Sequence, residues 1–112
     1  LDSFLASKTN YDEVMDLEAI KLPLVLRTRR DGDLFRPLGS AGRKKVGDFL
    51  TDLKVPVEER ERAFIVAAAE KPIWIVGRRI DESVKVTSQT KVLLRISVIL
   101  DDGTEAEDGA EF

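Results

Sequence analysis

The sequence predicts an α+β fold, in which a small, mostly antiparallel β-sheet or sandwich carries two short helices. Apolar residues recur at helical spacing between residues 43 and 53 and alternate with polar residues between 92 and 100. Between these segments, two short apolar runs flank a turn at Pro72, which is typical of a hairpin. A chain of 112 residues with 43% hydrophobic residues has the length of one domain and can bury a core.

The two ends of the chain differ from its centre. The first ten residues follow neither a helical nor a strand period and do not begin with Met, so we interpret residues 1–15 as a linker or the remnant of a preceding region. The folded domain is expected over residues 16–100, and an extended segment at 22–28 enters its sheet. Residues 101–112 contain six acids and no base, and we expect an acidic, disordered tail there.

Two helices are predicted in the middle of the chain. In the first, over residues 43–53, four apolar residues stand at i, i+3, i+4 and i+7 and form one stripe for burial. They are Val46, Phe49, Leu50 and Leu53. The polar side of this helix would carry Lys44 and Lys45 toward solvent or a partner. The second helix is predicted to begin at Pro56, whose fixed φ suits a first helical position.

The second half of the chain predicts strands. Apolar runs at 64–69 and 73–76 form a hairpin around the turn 70–72. Trp74 lies inside the second run, where packing in the core is favoured over stacking on a base. The last strand, at 92–100, is expected to close the sheet with one apolar face. This face consists of Leu94, Ile96, Val98 and Leu100.

Positive charge is concentrated in one stretch. Residues 27–62 hold ten of the eighteen Lys and Arg residues and four of the seven glycines. The net charge of −3 divides into −4 for residues 1–20, +7 for 21–100 and −6 for 101–112. A cationic centre between acidic ends is compatible with a nucleic-acid partner, and a solvated basic surface is the equally supported alternative. The Gly-containing loop 37–42 leads into three cations and a predicted helix, an arrangement suited to phosphate.

The composition removes several kinds of site. The chain has neither His nor Cys, so the commonest general base, a thiol nucleophile and the usual zinc ligands are absent. No phosphate loop of the GxxxxGK type and no nucleophile elbow occur. No apolar run approaches the roughly 20 residues of a membrane span, so we expect no membrane partner. We therefore expect neither a catalytic nor a metal site in this chain, and whether it takes part in an enzyme stays open.

Several ordered motifs lie within the segment from about Asp16 to Ile96. They read LRTRRxGDxFRPLG from Leu26, GxKKxxDF from Gly42, DxKVPxxxR from Asp52 and WIVGRRIDE from Trp74, followed by KVT and TK. In this order they resemble the C-terminal domain of bacterial tRNA(Ile)-lysidine synthetase, and an ordered series is far more specific than a lone glycine motif.

The resemblance implies both a fold and a role. The fold is the α+β domain type shared with the β chain of phenylalanyl-tRNA synthetase. The parent enzyme of this cytoplasmic family uses ATP and Mg to adenylate cytidine 34 of a tRNA(Ile) precursor, and free lysine then displaces AMP. The Ser-Gly-Gly-x-Asp-Ser loop of its N-terminal catalytic domain is absent from this chain. The C-terminal domain is expected to grip the acceptor stem of tRNA(Ile), beside that catalytic domain of the same polypeptide.

The candidate nucleic-acid-binding residues all lie in the basic stretch. Cations there could neutralise phosphates, and the loop 37–42 could reach the minor-groove edge of an A-form stem. The predicted contacts are Arg36, Leu38, Gly39, Arg43, Lys44, Lys45, Lys54, Arg60 and Arg62.

Two alternatives accompany this set. Arg27 and Asp33 flank a tight turn, where an internal ion pair is as well supported as a contact with a ligand. A protein-interaction module or homodimer with a solvated basic face is the other interpretation of the whole domain.

Overall fold

The computed structural model describes residues 11–99. Eight strands and two α-helices follow one another along this part of the chain, with short 3-10 turns at Leu17–Ala19 and Glu82–Val84. The strands are β1 (Asp12–Asp16), β2 (Leu24–Thr28), β3 (Leu34–Phe35), β4 (Lys44–Lys45), β5 (Phe64–Ala68), β6 (Lys71–Ile75), β7 (Arg79–Ile80) and β8 (Leu93–Ser97), and the helices are α1 (Val46–Asp52) and α2 (Val57–Glu61).

All strand pairs are antiparallel, and they form three sheets in the described part of the chain. The main sheet has the order β2-β5-β6-β7, while β1 pairs with β8 and β3 pairs with β4. The predicted α+β class with two short helices is therefore confirmed. The expectation that the last strand closes the main sheet is wrong, because β8 pairs with β1 instead.

The predicted hairpin is confirmed as β5 and β6. Its loop is shorter than expected, because only Ala69 and Glu70 separate the strands, with φ values of 48° and 73°. Two central residues with positive φ are the mark of a type I′ turn, whose twist matches that of the strands it joins. Trp74 is 1% exposed, which confirms that it packs in the core.

The central strands β5 and β6 of the main sheet are buried on both faces. The side chains of each strand alternate between these faces, so each face has its own set of core residues. On one face, Val66 and Trp74 pack with Met15 and with half-buried residues of β8. On the other face, Ile65 and Ile75 pack against the second cluster. The remaining buried members of that cluster are Phe35, Val46, Phe49, Leu50 and Val55.

Helix α1 differs from its prediction at both ends. It begins at Val46 and not at residue 43, because Lys44 and Lys45 pair with β3. At its other end Leu53 is 45% exposed and leaves the predicted apolar stripe. Lys54 has a φ of 62°, and this turn brings the N–H of Val55 to 3.1 Å from the carbonyl oxygen of Leu50. The result is a Schellman cap in which Val55 takes the buried place expected for Leu53.

The other predicted boundaries shift by smaller amounts. Helix α2 begins at Val57, one residue after the predicted start, and Pro56 is its N-cap. Strand β1 begins inside the 1–15 segment that the sequence assigned to a linker, so the residues from Asp12 onward belong to a sheet. The expected tail at 101–112 and the apolar position Leu100 lie outside the described residues.

Candidate nucleic-acid interface

The short hairpin of β3 and β4 carries the densest group of predicted site residues. Leu34 pairs with Lys45, and Phe35 pairs with Lys44. Residues directly opposite each other share one face of an antiparallel pair, and neighbours along a strand point to opposite faces. Leu34 and Lys45 are exposed, whereas Phe35 is buried. The two lysines therefore project from opposite sides of the hairpin, and the prediction that both lie on the polar side of a helix is wrong.

Two arginines extend the outer face of this hairpin. Arg36 directly follows β3 and Arg43 directly precedes β4, at the end of the hairpin that leads into the loop 37–42. Both are exposed. Continuing the alternation of the two strands by one residue assigns both arginines to the side of Lys45. We call these three residues, Arg36, Arg43 and Lys45, the cationic hairpin face.

The cations of the hairpin differ in how far they are already used. Lys44 forms an ion pair with Asp52, and Arg36 donates from Nε to the carbonyl oxygen of Ser40 at 3.0 Å. The side chains of Arg43 and Lys45 have no hydrogen bond or ion pair with any other residue of the described range 11–99. These two side chains are thus the most available to an anionic partner.

The backbone of the loop 37–42 is largely occupied by the protein itself. The N–H of Leu38 donates to the carbonyl oxygen of Ile80 at 3.0 Å, and the N–H of Gly39 donates to Oε1 of Glu82 at 2.9 Å. At the start of α1, the N–H of Val46 donates to the carbonyl oxygen of Asp33. These N–H groups are therefore not open to a phosphate, and an anion at the loop would meet side chains first.

Two acidic residues hold this loop against the main sheet. Oδ1 of Asp81 accepts from the N–H of Arg36 at 2.7 Å, and the N–H of Glu82 donates to the carbonyl oxygen of Arg36 at 2.7 Å. The hydrogen bond from Lys85, followed by that from the N–H of Gly39, lowers the pKa of Glu82 below its ordinary value. Sequence reasoning missed both acids as site residues, although both stand in the WIVGRRIDE motif.

The remaining predicted contacts lie away from the hairpin. Lys54 caps the far end of α1, a helix of seven residues that is about 10 Å long. Arg60 is half-buried and donates from Nη1 to the carbonyl oxygen of Val55 at 2.8 Å. Its own carbonyl oxygen accepts from Nε of Arg29 at 3.1 Å. Arg62 is exposed at the end of α2. The structure thus separates these three residues from the cationic hairpin face and gives Arg60 an internal role.

Arg27 and Asp33 form an internal ion pair. Both guanidinium nitrogens of Arg27 lie 2.9 Å from the carboxylate oxygens of Asp33. Burial opposes ionisation of Asp33, but the hydrogen bonds from Arg27 and from the N–H of Arg30 outweigh it and lower its pKa. The same pair raises the pKa of Arg27. Of the two alternatives for these residues, the ion pair is the one that forms, and it fixes the end of β2 to the turn before β3.

Two further arginines follow Gly77 and were not among the predicted contacts. The guanidinium of Arg79 lies 5.3 Å from the centre of the Phe49 ring, within the range of a cation–π contact. Arg78 lies 3.6 Å from a carboxylate oxygen of Glu59. Both arginines therefore have partners inside the domain.

No group of three or more acidic side chains among residues 11–99 is arranged to hold a metal ion. Within those residues no helix has the length and apolar character needed to cross a membrane.

Comparisons with known proteins place the domain. Its fold is also found in an N-terminal fragment of the phenylalanyl-tRNA synthetase β subunit from Pyrococcus horikoshii, with a TM-score of 0.63 over 75% of this chain and 26% of the other. At 16% identity this likeness concerns the fold alone. A family profile described as TilS substrate C-terminal domain matches residues 24–98, and the chain belongs to this family. The resemblance seen in the ordered motifs is thus confirmed.

Individual relatives agree with the family. The chain is 40% identical over 90 residues to a tRNA(Ile)-lysidine synthase from Caldanaerobacter subterraneus, covering 80% of this chain and 19% of the relative. It is 35% identical over 94 residues to one from Clostridium tetani, covering 84% and 20%. A crystal structure of a TilS C-terminal domain matches with a TM-score of 0.64 at 28% identity, over 83% of this chain and 75% of the other. The chain spans about a fifth of the length of the curated relatives it matches.

Proposed function

We propose that this chain is the tRNA-binding part of a tRNA(Ile)-lysidine synthase and that it grips the acceptor stem of tRNA(Ile). In this proposal the parent enzyme is a cytoplasmic ligase. Its N-terminal catalytic domain uses ATP, Mg and lysine to convert cytidine 34 to lysidine. We assign to this chain the binding and orientation of the tRNA, because its relatives carry the name of that enzyme over a polypeptide about five times as long as the matched segment, which leaves room for a separate catalytic domain.

The observation that carries the proposal is the cationic hairpin face. Arg43 and Lys45 are exposed without an internal partner, so neutralising phosphates breaks no existing contact of theirs within the described residues. Leu38 is exposed in the adjoining loop, where an apolar side chain can lie against sugar edges of a shallow minor groove. Cations that fix the register, beside a shaped loop, are what recognition of A-form RNA requires.

The proposal is tested by binding measurements across a salt series. Replacing Arg43 and Lys45 with Ala should weaken binding of a tRNA(Ile) transcript and reduce the log-log salt slope by about 0.7 to 0.9 per lost contact. Lys21→Ala is the matched control, because Lys21 is an exposed cation outside the hairpin, between β1 and β2. If all three variants keep the affinity and slope of the unmodified chain, the hairpin is a solvated surface and the proposal fails.

A second candidate function has one supporting observation. Strand β2 is an outer strand of the main sheet, and its residues Val25 and Leu26 are 45% and 52% exposed. An edge strand with apolar side chains can pair with another chain, which is the alternative of a protein-interaction or homodimer module. A mass that rises with protein concentration, and a return to the monomer mass in Leu26→Lys, would support this alternative.

A further inference from the structure

We propose that Glu82 is a positioning residue for RNA recognition: its carboxylate fixes the tip of the loop 37–42 and stays bonded to Gly39 when RNA is bound. The inference rests on the proposed function. It assigns to Glu82 a contribution to the specificity for one tRNA over another. A carboxylate beside an RNA-binding loop would otherwise be expected to weaken binding through repulsion of phosphate.

The hydrogen bonds divide the loop into a base and a tip. At the base, the N–H of Leu38 donates to the carbonyl oxygen of Ile80, the N–H of Arg36 donates to Oδ1 of Asp81, and the carbonyl oxygen of Arg36 accepts from the N–H of Glu82. The tip is Gly39, whose φ of +86° is a left-handed conformation that suits glycine. Its N–H donates to Oε1 of Glu82 at 2.9 Å. Glu82 is therefore the side chain that ties the tip to the rest of the domain.

Glu82 is itself held in place from the other side. Its second carboxylate oxygen, Oε2, accepts a hydrogen bond from Lys85, at the end of the 3-10 turn Glu82–Val84. Its side chain is 15% exposed, in contrast with the exposed loop that it supports. A carboxylate fixed by two donors has little freedom to move away, so it can act as a rigid support for Gly39.

A fixed tip matters because A-form RNA is recognised largely by shape. A loop that is already ordered loses less conformational entropy on binding, and it rejects a stem of the wrong shape more strongly than a flexible loop does. The carboxylate also occupies the N–H of Gly39, so a phosphate cannot settle there. The tip is then left to meet a groove with the side chain of Leu38, while the phosphates go to the cationic hairpin face.

The opposite possibility makes a different prediction. If an RNA phosphate replaces the carboxylate on the N–H of Gly39, Glu82 is a competitor for that donor. Its removal would then strengthen binding. The two ideas therefore differ in the sign of the effect on affinity and in the effect on the choice between tRNAs.

The experiment compares Glu82→Ala and Glu82→Gln with Glu61→Gln, in the 112-residue chain. Glu61 is exposed at the end of α2, and its carboxylate has no hydrogen bond or ion pair to other residues of the described part, so its variant reproduces the change of charge alone. Binding of a tRNA(Ile) transcript and of a tRNA with a different acceptor stem is measured across a salt series. Amide hydrogen exchange at Gly39 reports on the loop in the absence of RNA, and thermal unfolding checks the fold.

We expect Glu82→Ala to speed the exchange of the Gly39 amide and to lower the ratio of the two affinities by roughly fivefold to tenfold, the scale of one hydrogen bond to a charged group at an exposed site. The salt slope should stay unchanged, since no phosphate contact is lost. Glu82→Gln should fall between Glu82→Ala and the unmodified chain, because an amide oxygen can still accept from Gly39. Glu61→Gln should leave the ratio and the exchange rate unchanged.

Two results would overturn the inference. An unchanged ratio in Glu82→Ala would show that the tip does not contribute to the choice, and tighter binding than in Glu61→Gln would show that phosphate takes the place of the carboxylate. Both leave the proposed function intact if Arg43 and Lys45 still matter. If the unmodified chain binds neither tRNA, the proposed function itself fails and the role of Glu82 in RNA recognition fails with it.

Discussion

In the hairpin of β3 and β4, the side chains of Arg43 and Lys45 are exposed and have no partner within the described range. In helix α2, by contrast, the guanidinium of Arg60 is hydrogen-bonded to the carbonyl oxygen of Val55. Both groups belong to one basic stretch and have the same residue types. The difference comes from the backbone around them. The turn between α1 and α2 brings the carbonyl oxygen of Val55 to the guanidinium of Arg60, whereas the hairpin brings no acceptor from the described residues to the side chains of Arg43 and Lys45.

The largest predicted effect concerns Phe49 of α1, which packs beneath the hairpin and belongs to the helix that leads toward Arg60. Phe49 is 5% exposed, meets Phe35 of β3 edge-on at 5.2 Å between ring centres, and lies under Arg79. Replacing it with Ala should lower the free energy of unfolding by about 3 to 5 kcal/mol. Urea denaturation measures the loss. Phe64→Ala is the control, because Phe64 is 39% exposed and should cost clearly less. Equal losses in the two variants would mean that α1 does not carry the hairpin.

The next effect concerns the ion pair that anchors the turn before the hairpin. Asp33→Asn should lower the free energy of unfolding by about 2 to 3 kcal/mol at pH 7, because it leaves the largely buried Arg27 without its partner. Asp31→Asn is the matched control, since the Asp31 carboxyl is fully exposed and 3.7 Å from Arg29. We expect that variant to stay within about 0.5 kcal/mol of the unmodified chain.

The same pair predicts a dependence of stability on pH. The pKa of Asp33 is lower in the folded chain than its ordinary value. Its contribution is therefore present above the pKa of the unfolded chain, about 4, and is lost as the pH falls through the lower folded value. The loss of stability between pH 5 and strongly acidic pH should be smaller in Asp33→Asn than in the unmodified chain. Parallel pH profiles would contradict a coupled ion pair.

A smaller effect separates Arg60 from Arg62. Arg60→Ala removes the hydrogen bond to the carbonyl oxygen of Val55 and should cost about 1 to 2 kcal/mol of stability. Arg62 is exposed, and Arg62→Ala should stay within about 0.5 kcal/mol. Thermal unfolding measures both. If Arg60→Ala instead keeps its stability and reduces the salt slope of tRNA binding, Arg60 belongs with the hairpin cations.

The sequence predicts the parts of the fold that depend on local pattern. The right elements follow from the apolar spacing of Val46, Phe49 and Leu50 and from the apolar run around Trp74. In both cases the buried residues recur at the spacing of their secondary structure, which the sequence shows directly. The position of Lys44 and Lys45 could not be predicted in this way. A strand of two residues has no period of its own, and β4 exists because β3 lies beside it.

The candidate site is predictable to a similar degree. Concentration of charge finds the basic stretch, and the exposed Arg43 and Lys45 lie within it. The concentration of charge does not show which cations already have internal partners. The hydrogen bond from Arg60, for example, depends on the position that the cap after α1 gives to the carbonyl oxygen of Val55. The support from Glu82 to Gly39 joins residues 43 positions apart, so it depends on the tertiary fold.

The smallest predicted effect decides whether Lys54 belongs with the cations available to RNA or with those that have a structural role. Lys54 is exposed and has a φ of 62°, a left-handed conformation that costs a side-chain-bearing residue about 1 kcal/mol. Lys54→Gly removes both the charge and this strain, whereas Lys54→Ala removes the charge alone. Because glycine also gains entropy in the unfolded chain, we expect Lys54→Gly to be more stable than Lys54→Ala by less than about 1 kcal/mol in thermal unfolding.

Binding then separates the two roles of Lys54. If it is a cap residue, both variants should bind a tRNA(Ile) transcript with unchanged affinity and salt slope. If both lose the same affinity and about 0.7 to 0.9 of the slope, the charge itself contacts phosphate. The cationic surface would then extend from the hairpin along the whole of α1. More cations would be available to RNA than the hydrogen bonds within the domain indicate.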